Sequence, residues 1–97
     1  MLRHIVMMRF EEHLSKVSAG EKVKGMLLDL LKTVEPLKKM EVGLNTSTSP
    51  SAFDLVLTAD FDDEAGLNAY RVHPDHVKIL DWMKKNVSQV TVVDYFM

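Results

Sequence analysis

Residues 3–10, Arg3-His4-Ile5-Val6-Met7-Met8-Arg9-Phe10, decide the fold. Read with a period of two, they put His4, Val6, Met8 and Phe10 on one face of a strand and Ile5 and Met7 on the other. Both faces are largely apolar, which suits a strand covered on two sides better than one facing water. A central strand is expected here, with a layer packed on each face.

The segment that follows reads as a helix. Ser18 and Glu21 have the spacing of a capping box, in which the two side chains satisfy free amides at a helix start. Val23, Met26, Leu27, Leu30, Leu31 and Val34 then recur at helical spacing and form one apolar stripe. Pro36 ends it, because the residue before a proline is driven out of the α region.

Met40, Val42 and Leu44 alternate with Glu41, Gly43 and Asn45, giving a second strand. The polar run Asn45–Ser51 is a loop, and Phe53, Leu55, Leu57, Ala59 and Phe61 alternate through a third strand. Asp62 or Asp63 caps a second helix carrying Leu67 and Tyr70. Pro74 interrupts that helix, and a further helical segment runs from about Asp75 to Asn86. Its buried side is expected from Val77, Leu80 and Met83, with Ile79 and Trp82 beside them. Val90, Val92 and Asp94 alternate with Thr91, Val93 and Tyr95 in a last strand.

The order β-α-β-β-α-β, with its second helix broken, is the split-βαβ pattern of an α+β, ferredoxin-like domain with a four-stranded antiparallel sheet. The whole chain, residues 1–97, is expected to form one domain. Helices cover only one face of such a sheet. The first and last strands are apolar on both faces, so the uncovered face is expected to pair with a second copy of the chain.

Composition narrows the functions. A chain of 97 residues buries only about 60–65% of its unfolded surface, so a dimer interface would add stability. The formal charge is −2 and no basic cluster is longer than a pair such as Lys84-Lys85, which gives nucleic acid or an anionic membrane nothing to hold. With no cysteine, disulfides, thiolate nucleophiles and thiolate metal sites are excluded, and no metal or cofactor is expected. No apolar run approaches the roughly 20 residues of a membrane span. Nor does the N-terminal segment read as a secretion signal, so a cytoplasmic location is expected.

One constellation can carry chemistry. Tyr70-Arg71-Val72-His73-Pro74-Asp75-His76 places a phenol and two imidazoles close together, and His4 in the first strand and Asp94 in the last are expected on neighbouring or nearly neighbouring strands, where they could share a face. An imidazole exchanges a proton near neutral pH. A carboxylate on its second nitrogen fixes the tautomer. A tyrosine hydroxyl can donate to an oxygen that gains negative charge. Such a set suits proton abstraction beside a carbonyl. Each residue also has a plainer reading. His73, before a proline, can simply cap the next helix, and Tyr70 can be a core aromatic. His13 sits in a loop and is assigned no role. The seven methionines suit an adaptable core or pocket wall.

The opening strand, the block Tyr70-x-x-His73-Pro74-Asp75-His76-Val77 and the closing Val92-Val93-Asp94-Tyr95 resemble the stress-responsive α/β-barrel (Dabb) family, across nearly the whole chain. The resemblance implies a dimeric α/β barrel closed by sheet-to-sheet pairing, with a small-molecule pocket. Plant polyketide cyclases such as olivetolic acid cyclase are related to this family and work without cofactor. Carried over, their histidine falls on His76 as general base and their tyrosine on Tyr70 as oxygen-stabilising donor. Asp94 is the carboxylate expected to act with His76. The implied ligand-binding residues are His4, Val6, Met8, Leu55, Leu57 and His73. Leu55 stands where the cyclases have a further histidine, so the pocket is expected to favour a small apolar or aromatic molecule. The leading function is therefore a small-molecule pocket with cofactor-free cyclase, lyase or isomerase chemistry. A non-enzymatic binding or stress-response module is the alternative, and a monooxygenase-like barrel a distant third.

Overall fold

The computed structural model describes residues 1–97. Strand β1 (Leu2–Phe10) is followed by α1 (Lys16–Thr33), β2 (Lys39–Leu44), β3 (Leu55–Phe61), α2 (Glu64–Val72), α3 (Pro74–Asn86) and β4 (Val87–Phe96). All pairings are antiparallel and the strand order is β2-β3-β1-β4. This is the ferredoxin-like arrangement, with β1 inside the sheet between β3 and β4. One edge is β4, whose pairing with β1 slips by a bulge between Arg9 and Phe10.

Register sorts the side chains. Leu2, His4, Val6, Met8 and Phe10 face the helices together with Leu55, Leu57, Ala59 and Phe61 of β3, and all nine are buried. Val23, Leu27, Leu30 and Val34 of α1 press onto them, each burial contributing about 1.5–3 kcal/mol. Gly20 lets α1 come close to β2, because a Cβ there would sit 3.0 Å from Leu44 Cδ2.

Two sequence expectations for the helices need correction. Helix α1 starts at Lys16, two residues before the Ser18–Glu21 box. Ser15 is its cap and accepts from the Ser18 amide at 3.3 Å. On α3 the buried side is His76 and Ile79, while Val77 and Leu80 are exposed. The helix is rotated so that its histidine, not its largest aliphatic stripe, meets the sheet. Asp63 caps α2, accepting from Gly66 N–H at 2.9 Å.

The opposite face of the sheet has no layer on it. Ile5, Met7, Val56, Val93 and Tyr95 lie there, the last four exposed. Arg3 and Asp60 form an ion pair on the same face through two contacts, 2.9 and 3.1 Å. That pairing holds the Asp60 carboxyl below its ordinary 3.8. No helix is long and apolar enough to cross a membrane.

Candidate active site

Helices α2 and α3 lean over β1 and β3 and leave the helix-facing side of β4 uncovered, so Val90 and Val92 stay about half exposed. Between α3 and β4 this opens a cleft of about 310 Å³. Its walls are mostly apolar, with Val6, Met8, Leu57, Ile79, Met83 and Val92 among them. The polar side chains at its surface are His4, Tyr70, Arg71 and His76.

His76 is held from the main chain. Its Nδ1 lies 3.2 Å from the Arg71 carbonyl. A carbonyl only accepts, so Nδ1 carries the proton and in the neutral ring Nε2 keeps its lone pair. Burial depresses the imidazole below its ordinary 6.5, the Arg71 carbonyl partly opposing, so the ring is neutral at physiological pH.

Tyr70 packs against His76 with ring centroids 4.2 Å apart, edge-on to Phe61 at 5.1 Å and to His4 at 6.2 Å. Its side chain is almost fully buried, yet its hydroxyl has no hydrogen bond within the chain and is not a sealed-off orphan. Burial pushes the phenol above its ordinary 10.0, which keeps it a donor.

His4 and Asp94 are register partners on β1 and β4. His4 Nδ1 donates to Asp94 Oδ1 at 2.5 Å, and Asp94 Oδ2 accepts from Arg71 Nη2 at 3.1 Å. The carboxylate therefore orients His4, not His76 as the sequence suggested. The two histidines have separate anchors because Asp94 faces a neighbouring depression beside Leu2 and Glu64.

The sequence-derived ligand residues divide accordingly. His4, Val6, Met8 and Leu57 line the cleft with Tyr70 and His76. Leu55 is buried on the helix-facing side opposite Met8, where β3 begins, and does not line the cleft. His73 points into the chain break and accepts from the Asp75 amide at 3.1 Å, the capping role. Leu27, Arg71, Ile79, Leu80, Met83, Val90 and Val92 also line the cleft and were not anticipated there. Among them Val90 and Val92 had a visible signal, their alternation with Asp94. A larger, more open depression of about 780 Å³ lies at the far end of the sheet, around Arg9, Glu11, Lys16, Asp54 and Ser88. Lys16 there is paired with Asp54 at 3.2 Å, and no acid–base set converges. No group of three metal-ligating side chains is gathered anywhere in the fold.

No curated protein matches the chain significantly in sequence. Solved structures do. A dimeric protein of unknown function with a ferredoxin-like fold from Bacteroides fragilis superposes with a TM-score of 0.89 at 23% identity, over 99% of this chain and 95% of that one. A dimeric ferredoxin-like protein of unknown function from Thermobifida fusca gives 0.86 at 26% identity, over 99% and 90%. The hydroxynitrile lyase of Passiflora edulis gives 0.85 at 16% identity, over 99% and 92%. The family model for the stress responsive A/B barrel domain (Dabb) matches residues 2–97, from β1 through the end of β4, and the chain belongs to that family.

Proposed function

We propose that the protein is a homodimer, paired through its open sheet face, whose cleft binds a small apolar or aromatic carbonyl compound and moves a proton on it without a cofactor. One observation carries the chemistry: His76 is anchored through Nδ1 beside a tyrosine hydroxyl that has no partner in the chain, both on one apolar cleft. Neutral His76 takes a proton from carbon beside the carbonyl through Nε2. Tyr70 donates to the carbonyl oxygen as it gains charge. The enolate is then reprotonated by His76, an isomerisation, or attacks a second carbonyl, an aldol-type ring closure. His4, held by Asp94, flanks the same space. The exposed Met7, Val56, Val93 and Tyr95, and the dimeric state named for two proteins of the same fold, support the sheet-to-sheet pairing.

The test is deuterium exchange. A panel of small aryl methyl ketones and 1,3-diketones is incubated with protein in D₂O and followed by NMR. Wild type is expected to exchange the acidic C–H of at least one member. His76→Ala is expected to lose that exchange while remaining a dimer. Members that bind, shown by saturation transfer, without any exchange would leave the non-enzymatic binding module as the function.

A further inference from the structure

The break between α2 and α3 leaves the Arg71 carbonyl without a helical donor. In a continuous helix the amide of residue 75 would donate to the carbonyl of residue 71. Here the Asp75 amide donates to His73 Nδ1 instead, at 3.1 Å. Pro74 has no amide hydrogen to offer Tyr70, and the His73 amide takes the Tyr70 carbonyl at 3.2 Å. His73 is extended, at φ −62° and ψ 134°, closing α2 and opening α3 at once. The Arg71 carbonyl is thereby left over, and the Nδ1–H of His76 takes it.

We propose that His73 and Pro74 are positioning residues for His76: their helix break reserves the Arg71 carbonyl, which fixes the His76 proton on Nδ1 and turns the basic Nε2 to the cleft. This rests on the reading of His76 as the base. Were the helix continuous, the amide of residue 75 would capture the Arg71 carbonyl. His76 would then be free to carry its proton on Nε2 and would present a donor where the reaction needs an acceptor. The break therefore acts on the tautomer, a property that helix termination alone does not explain.

The experiment is long-range ¹⁵N–¹H spectroscopy of the imidazoles, at a pH where the rings are neutral. It compares wild type with Pro74→Ala, His73→Ala and His73→Asn, with melting curves as the check on folding. Wild-type His76 is expected as the Nδ1–H tautomer. Pro74→Ala and His73→Ala shift it to Nε2–H or a mixture while the dimer persists. His73→Asn, whose side chain caps as well, restores Nδ1–H. If Pro74→Ala fails to fold, the His73 pair decides alone. Unaltered Nδ1–H in folded His73→Ala, or in folded Pro74→Ala, overturns the proposal. The tautomer is measured without turnover, so the two readings fail separately. Tautomers that respond as stated, in a protein whose ketone exchange ignores His76→Ala, would sink the base assignment and leave the positioning device.

Discussion

His4 and Asp94 stand 90 positions apart in the chain and directly opposite each other on β1 and β4, with Nδ1 and Oδ1 2.5 Å apart. Asp94 is shared with Arg71 on its other oxygen.

Asp94→Asn is expected to loosen His4 and leave Arg71 unpaired. The carboxylate is partly exposed, so the cost is screened to about 1–2 kcal/mol. Thermal melting should show a fall of several degrees. Long-range ¹⁵N–¹H spectra should show the His76 proton still on Nδ1, because its anchor is the Arg71 carbonyl. Loss of that Nδ1 proton in this variant would show that Asp94 also helps to hold His76.

Tyr70→Phe keeps the ring that packs on Phe61 and His76 and removes a hydroxyl with no partner in the chain. Its melting temperature should stay close to that of wild type. Ketone exchange should drop by about 10²-fold, the usual consequence of losing one donor to a developing oxyanion. Equal loss of stability and rate would make the hydroxyl structural.

The pH dependence follows from His76. Its imidazole is harder to protonate folded than unfolded. At pH well above 6.5 both states are neutral and the group adds no slope. Below 6.5 the unfolded chain takes the proton first, so stability falls with pH until the folded imidazole titrates as well. Melting between about pH 7 and pH 5 should therefore decline less in His76→Gln than in wild type. The exchange rate should fall on the acid side through a value below 6.5. Tyr70, raised above 10.0, should impose no alkaline loss at its ordinary pH.

Val93→Asp puts a charge on the open sheet face, on its edge strand β4, where the side chain is 53% exposed in the protomer. The protomer should fold, and sedimentation velocity should show it as a monomer. A dimer of unchanged stability would move the interface elsewhere.

Ser15→Ala should cost about 1 kcal/mol as a lost helix cap, read as a shift in melting temperature. Ser18→Ala, which removes only a side chain inside the first turn, should cost far less. The opposite ranking would restore the Ser18–Glu21 box.

Strand alternation and one helical stripe were enough to read the architecture, because most apolar residues on β1, β3 and α1 are buried, although Leu31 of the expected α1 stripe is exposed. Helix ends were less legible: Ser15 and Ser18 are chemically alike, and the choice between them depends on where Lys16 and Leu14 pack. The face of α3 was misjudged for a different reason. Val77 and Leu80 look like core residues, but the sheet below that helix carries His4 and Tyr70 lies beside it, so His76 turns inward to form the cleft. His4 and Asp94 could be placed on one face from strand order alone. The Arg71 carbonyl could not, since a main-chain acceptor freed by a helix break leaves no mark in side-chain chemistry. Leu55 was misplaced by analogy of position, and His73 does the local work its proline neighbour suggests.

The β1–β4 ladder joins the two ends of the fold, and Met97 N–H even reaches the Met1 carbonyl at 2.9 Å. Closing so long a loop comes late in folding, after the nearer β1–β3 pairing can already have formed. During synthesis β1 emerges first and β4 last of these elements. In the interval the backbone of β1 is an open edge beside Val6 and Met8, and any β4 from a neighbouring nascent chain fits it as well as its own. The strand that brings Asp94 to His4 is thus also the one that crowded polysomes could exchange, joining two chains by a swapped edge.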